Sequence, residues 1–209
     1  MSEQPSSPTR ERIIRAAERL MAERGIEGVD LKEIQIAAGQ RNRSAINYHF
    51  GDRTGLVAAI AAKHRTAINE ERNRLLDRLE ASRDRSIRPL VDAGIRPLAA
   101  LLADPSGRDY TIIAAEATAR AGTQGLFAVP RQHIDSVQRF IRMVTERVPG
   151  PPASRQLLAM RAVIVMAILL ADIARLINQQ ELTVAQGKRR VAGIVDFVTR
   201  ALTVEHLHG

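Results

Sequence analysis

The chain has 209 residues, 45% hydrophobic and 26% charged, enough for one large soluble domain or a small one joined to a larger. Its net charge of +8 and sequence pI of about 11.0 favour a polyanionic partner, without choosing between nucleic acid and anionic lipid. With no cysteine, disulfides, thiol catalysis and Cys-ligated metals are excluded, and with aromatics at 3% and no Trp the core must be aliphatic.

Residues 1–8 read as a Ser- and Pro-rich disordered leader with no apolar segment of the signal-peptide kind. Thr9 or Ser7 can cap a helix that runs to Arg24, with Ile13, Ile14, Ala17, Leu20 and Met21 as its apolar stripe and Gly25 as its stop. Asp30-Leu-Lys-Glu33 has capping-box spacing and opens a short helix from Leu31 to Ala38, ended by Gly39. Asn42 or Ser44 can cap the next, to His49, and Gly51 ends it. From Asp52 a long helix carries Leu56, Ile60, Ile68, Leu75 and Leu79. A further helix is expected over 88–102, kinked at Pro97, then a turn at Asp104-Pro-Ser-Gly107. Helices over 109–121 and 133–148 flank a loop at 122–130, and two last helices span 153–179 and 184–202. The pattern is all-α: three short helices over 9–51, a larger helical unit over 52–205, and a tail at 206–209. The longest uncharged apolar run, 162–171, is too short to cross a bilayer, so a cytoplasmic protein with no membrane partner is expected.

Two short helices joined by a Gly-containing turn form a helix-turn-helix pattern, in which the second helix enters the major groove. From Ile34 to Gly51 there is no Asp or Glu. A carboxylate facing phosphate would oppose the charge attraction that dominates affinity for DNA. Arg41 and Arg43 stand where the second helix begins, and Arg can bind guanine O6 and N7 together. Asn42, Ser44 and Asn47 add polar tips, and Tyr48 and His49 can donate to phosphate oxygens. A basic stretch of this length is also what an ordinary solvated face looks like.

The segment from Thr9 to Leu56, TRERIIRAAERLMAERGIEGVDLKEIQIAAGQRNRSAINYHFGDRTGL, is similar to the N-terminal domain of TetR-family transcriptional regulators. The resemblance covers residues 9–60, about a quarter of the chain. It rests on the helix IIRAAERLMAERG, on IQIAAG before the turn, and on Tyr48-His49-Phe50 followed by Arg53 and Leu56. It implies an all-α fold of about nine helices, with a three-helix DNA-binding domain and a helical ligand-binding and dimerisation domain. It places Arg43, Ser44, Ala45 and Asn47 on a base-reading face, Tyr48 and His49 at phosphates, Arg53 at the family's backbone-clamping position, and Lys32 on the backbone from the preceding helix. The turn GQRNRS is longer than the family's common form, Asn47 stands where a Tyr is usual, and Asp30 replaces a common Thr, leaving Asp30 a capping role.

The resemblance also implies double-stranded DNA, a second copy of the chain and a small-molecule effector as partners, with no cofactor and no metal. Independently, residues 160–177 are apolar nearly all round, and a helix of that kind needs cover on every side. Ile164, Ile168, Asp172 and Arg175, with Val191, Ile194, Val195 and Val198 of the last helix, are the expected dimer surface; Asp172 can pair with Arg175 or serve a ligand. Phe127, Phe140, Met143 and Met166, with Glu116, Arg120 and His133 as polar anchors, are the candidate lining of an effector pocket. The scarcity of aromatics favours an aliphatic effector. Repression relieved by ligand is the expected activity. An adaptor that binds acidic partners or membrane surfaces through charge is the alternative. No catalytic constellation is present: there is no Gly-rich phosphate loop, GxSxG or HExxH, and two of the five His, His206 and His208, lie in the tail.

Overall fold

The computed structural model describes residues 8–42, 44–128 and 131–204, without the side chains of 123–128 and 131–135. Residues 1–7 of the expected leader, Arg43 and the 206–209 tail with His206 and His208 lie outside these, as do the side chains of Phe127 and His133, while Pro8, the last residue of the expected leader, is helical. The described residues form nine α-helices: α1 (Pro8–Arg24), α2 (Leu31–Ala37), α3 (Ala45–Phe50), α4 (Arg53–Ser82), α5 (Ile87–Ala100), α6 (Pro105–Ala128), α7 (Arg131–Thr145), α8 (Pro152–Asn178) and α9 (Val184–Thr203).

Short polar side chains start several of these helices by accepting otherwise orphaned backbone N–H groups. Asp30 Oδ1 accepts from Lys32 N at 2.8 Å to begin α2, and Asp52 Oδ1 accepts from Gly55 N at 2.8 Å to begin α4. Thr183 and Gln186 form a reciprocal capping box at α9. At α2 the other half of the expected box is not made, because Glu33 pairs with Arg24 at 2.9 Å. Gly39 and Gly51, on either side of α3, take φ of +67° and +76°, a region that side chains with a Cβ avoid.

Two stretches expected to be irregular are helical. Asp104-Pro-Ser-Gly107 is a helix start: Asp104 Oδ2 accepts from Gly107 N at 2.8 Å and Pro105 opens α6. The expected loop after residue 121 is instead a continuation of α6 past a break at Gly122 (φ +57°, ψ −160°). Pro97 lies inside α5, which tightens into a 3₁₀ turn at 101–103.

Two apolar clusters organise the chain. The first gathers Ile13, Ala17 and Met21 of α1, Ile34 of α2, Ile46 of α3, and Leu56 and Ile60 of α4, and takes in Ile113 from α6. The second joins α5, α7, α8 and α9 with the later part of α4, around Leu76, Leu90, Phe140, Leu170 and Val195. Thus α4 serves both clusters, and α1 is seated on α6. Taken as a whole, α8 is long and apolar enough to cross a membrane by length and composition, unlike the short uncharged run within it. It packs against α6, α7 and α9, with Leu170, Ala171 and Ala174 fully buried.

Candidate functional site

The outer face of the N-terminal unit is built by α2 and α3. Apolar Ile34, Ala45 and Ile46 turn inward, which leaves Lys32, Arg41, Asn42, Ser44, Asn47 and Tyr48 exposed, with His49 half-buried. Lys32, Arg41 and Asn47 border one shallow concavity between the two helices, with Ile36 and Gln40. Asn42 Oδ1 accepts from Ser44 N at 2.9 Å and so shapes the turn into α3. Tyr48 is 78% exposed and meets His49 edge-on, ring centroids 5.0 Å apart. An exposed aromatic with a hydroxyl tip, in a stretch without carboxylates, can both pack on a sugar and donate to a phosphate. Phe50 packs against the first cluster, with Arg10 over its ring at 5.4 Å.

Two residues expected on this face lie otherwise. Ala45 is 5% exposed within the first cluster, because α3 must bury its N-terminal apolar pair to dock at all. Arg53 is turned inward along the turn after α1: its Nη1 donates to the Ile26 carbonyl at 2.5 Å and its Nε lies 3.3 Å from Glu27.

The same turn is held from α6. Both carboxylate oxygens of Glu116 accept from Ile26 N at 3.1 Å, and Arg120 reaches Glu116 at 2.8 Å and Glu27 at 3.4 Å. The expected pocket anchors Glu116 and Arg120 therefore sit at the seam between the two units. Deeper in that seam Glu18, 1% exposed, accepts from Lys63 Nζ at 2.7 Å and Ser106 Oγ at 2.8 Å, and lies 2.9 Å from His64 Nε2. Burial pushes its carboxyl up, but the hydrogen bonds from His64, Lys63 and Ser106 outweigh this and hold it below the usual 4.5. His64 in turn stacks on Tyr110 of α6, centroids 4.5 Å apart.

Tyr110 lines a cavity of about 300 Å³ enclosed by α4, α5, α6, α7 and α8. Phe140 and Met166 line it as expected, whereas Met143 is buried in the second cluster and is not part of the wall. The side chain of Phe140 approaches Gly94 so closely that a Cβ there would lie 2.6 Å from its ring. Sequence reasoning missed the polar corner of the wall, formed by Arg65, Asn69, Arg72 and Tyr110. A signal existed for Arg72, which stands one helical turn after Ile68 and one before Leu76, on the apolar stripe of α4.

Part of the expected dimer surface is interior to the single chain. Val191, Ile194, Val195 and Val198 are buried in the second cluster, where α9 packs against α5 and α8. Ile164 is half-buried. Ile168 (39% exposed), Leu157 and Phe197 (57%) are exposed, as is the Asp172–Arg175 pair, 2.9 Å apart.

Residues 13–60 match the family model for bacterial regulatory proteins of the tetR family. None of the curated proteins matches the chain. Among solved structures, a bacterial regulatory protein in the tetR family from Rhodococcus is similar at 15% identity and a TM-score of 0.52, over 96% of this chain and all (100%) of that one. A structure from Mesorhizobium loti, described as a TetR-family transcriptional regulator, is similar at 18% identity and a TM-score of 0.51, over 97% of this chain and 100% of that one. At such identities these two likenesses show the fold.

Proposed function

We propose that this chain, whose residues 13–60 match the family model for bacterial regulatory proteins of the tetR family and whose fold is similar to that of a tetR-family regulatory protein, is a DNA-binding transcriptional regulator, a homodimeric repressor released from a palindromic operator by a small molecule. The observation that carries this reading is the outer face of α2 and α3, where Arg41, Asn47 and Tyr48 are exposed in a stretch, 34–51, that holds no Asp or Glu, with Lys32 exposed just before it. In the proposed complex α3 lies in the major groove with Asn42, Ser44 and Asn47 at base edges. Lys32, Arg41, Tyr48 and His49 meet the backbone. Two such heads related by a two-fold axis read half-sites roughly 34 Å apart. The exposed apolar residues of α8 and α9, Leu157, Ile168 and Phe197, supply the surface for the second copy. In this reading the protein acts in the cytoplasm, as a binding protein rather than an enzyme.

Release by ligand is a population shift between head spacings. It is supported by the continuity of α4, which carries Leu56 and Ile60 in the N-terminal cluster and Ile68, Asn69 and Arg72 in the cavity wall. It is supported too by the contact of Tyr110, a wall residue, with His64, a partner of Glu18 on α1. Ligand and DNA then oppose each other reciprocally.

Selection from a pool of random duplexes at near-physiological salt tests the reading, with Asn47→Ala in parallel. The expected result is enrichment of an inverted repeat, with relaxed preference at one position per half-site in the variant, equivalent to about 1–3 kcal/mol of lost discrimination. Binding without enrichment, lost steeply as salt rises, would leave only a charge-driven adaptor.

A further inference from the structure

Among the described residues, the cavity holds a cation without a counter-ion. Arg72 is 4% exposed, and among the described residues it pairs with no carboxylate. Its Nε donates to the Gly94 carbonyl at 3.2 Å and its Nη1 to Ser136 Oγ at 2.8 Å, both neutral acceptors, and Nη2 donates to no protein atom among the described residues. A guanidinium withdrawn from water at this depth is costly unless an anion meets it. Burial draws its pKa down only to about 10, so it is charged at neutral pH.

Beyond those two acceptors, the polar groups beside it can donate. Ser136 Oγ donates a hydrogen bond to Asn69 Oδ1 at 2.7 Å, which engages the amide oxygen and leaves the Asn69 NH₂ to donate. Tyr110 and Arg65 border the same space, and no described lining residue is an acid. The remaining wall is mostly apolar, with Ile68, Ile95, Leu98, Met166 and Leu170 beside the Phe140 ring. The volume, about 300 Å³, is at the small end for a ligand pocket.

Building on the ligand-released reading above, we propose that the effector is a small aliphatic monocarboxylate, its carboxylate held by Arg72 beside Asn69 and Tyr110 and its hydrocarbon body against the α5 and α8 wall. One carboxylate balances one buried guanidinium, and its planar pair of oxygens fits the guanidinium fork. A neutral ligand of the same shape would leave Arg72 uncompensated.

Titration calorimetry on the full-length protein decides this with three probes of equal chain length: decanoate, 1-decanol and methyl decanoate. Wild type is expected to bind decanoate, one per chain, at least about tenfold more tightly than either neutral probe. Arg72→Met, which keeps a flexible apolar side chain in the site, is expected to abolish that preference while still binding 1-decanol. Equal affinity for all three probes in wild type would overturn the carboxylate assignment yet leave a ligand cavity in place. A preference that survives Arg72→Met would overturn the role of Arg72. Binding of none of the three would remove both the assignment and the cavity's part in ligand release. The comparison within wild type stands whether or not the variant folds.

Discussion

Glu18 is the residue whose loss should be felt most. It lies on α1, is 1% exposed, and receives Lys63 from α4 and Ser106 from α6, with His64 of α4 within 2.9 Å. Glu18→Ala removes the acceptor of three groups at once. The Lys63 side chain is 37% exposed and recovers water, but the His64 side chain, 10% exposed, keeps a polar nitrogen facing an apolar void. Breaking a buried, hydrogen-bonded charge cluster in this way costs about 3–5 kcal/mol. Discounting for the rehydration of Lys63 leaves about 3 kcal/mol. For a chain of this length that is a fall in Tm of roughly 6–12 °C. Glu18→Gln, which keeps the volume and one acceptor oxygen, should lose about half as much. Urea and thermal unfolding at pH 7.5, at fixed protein concentration and without DNA, measure both. The pH dependence adds a second check. Because the folded carboxyl lies below 4.5, its contribution is complete above that value and fades as the pH falls through the lower folded pKa. The gap between wild type and Glu18→Ala should therefore narrow in acid. If both variants stay within about 1 kcal/mol of wild type at pH 7.5, the seam is not held by this cluster.

Asp109 should behave in the opposite sense. Burial pushes its carboxyl up to about 6, against the hydrogen bond from Asn178, so ionising it costs stability as the pH rises from about 4 through 6. Asp109→Asn is expected to stabilise by about 1 kcal/mol at pH 7.5, after allowance for partial exposure, and by nothing at pH 4. Denaturant melts at the two pH values test this, and an equal gain at both would refute it. On the outer side of α9, Phe197→Glu is expected to weaken the proposed dimer at least about tenfold while leaving the fold intact by circular dichroism, since Phe197 is 57% exposed in the single chain. Sedimentation velocity over a concentration series reads it, and an unchanged dimer would move the interface elsewhere.

Most of the architecture could be read from local chemistry. Asp30, Asp52 and Thr183 begin helices because short side-chain acceptors satisfy the first turn, and that rule is sequence-local. Asp104 obeys the same rule, yet Asp-Pro-Ser-Gly suits a β-turn as well as an N-cap followed by Pro in the first turn, so the sequence alone does not choose between them. The exposed face of α2 and α3 was legible through what it lacks, since a run of residues without Asp or Glu is visible before any fold is known.

What could not be read was which surface covers which. The stripe Val191, Ile194, Val195 and Val198 needs an apolar neighbour, and periodicity is silent on whether that neighbour belongs to the same chain; here it is α5 and α8 of the same chain. Arg53 and Ala45 fail for a related reason. Whether Arg53 reaches outward depends on the Ile26 carbonyl and Glu27, brought beside it by the packing of α1 on α4, and no local pattern announces that. Glu18 and Arg72 were each visible as a charge on an apolar stripe, Glu18 one turn after Ile14 and Arg72 one turn after Ile68. A charge there has two possible fates, a counter-charge from another helix or none. For Glu18 the fold supplies Lys63. For Arg72 it supplies only neutral acceptors, so within the described chain the imbalance that the stripe announces is left for something from outside to cancel.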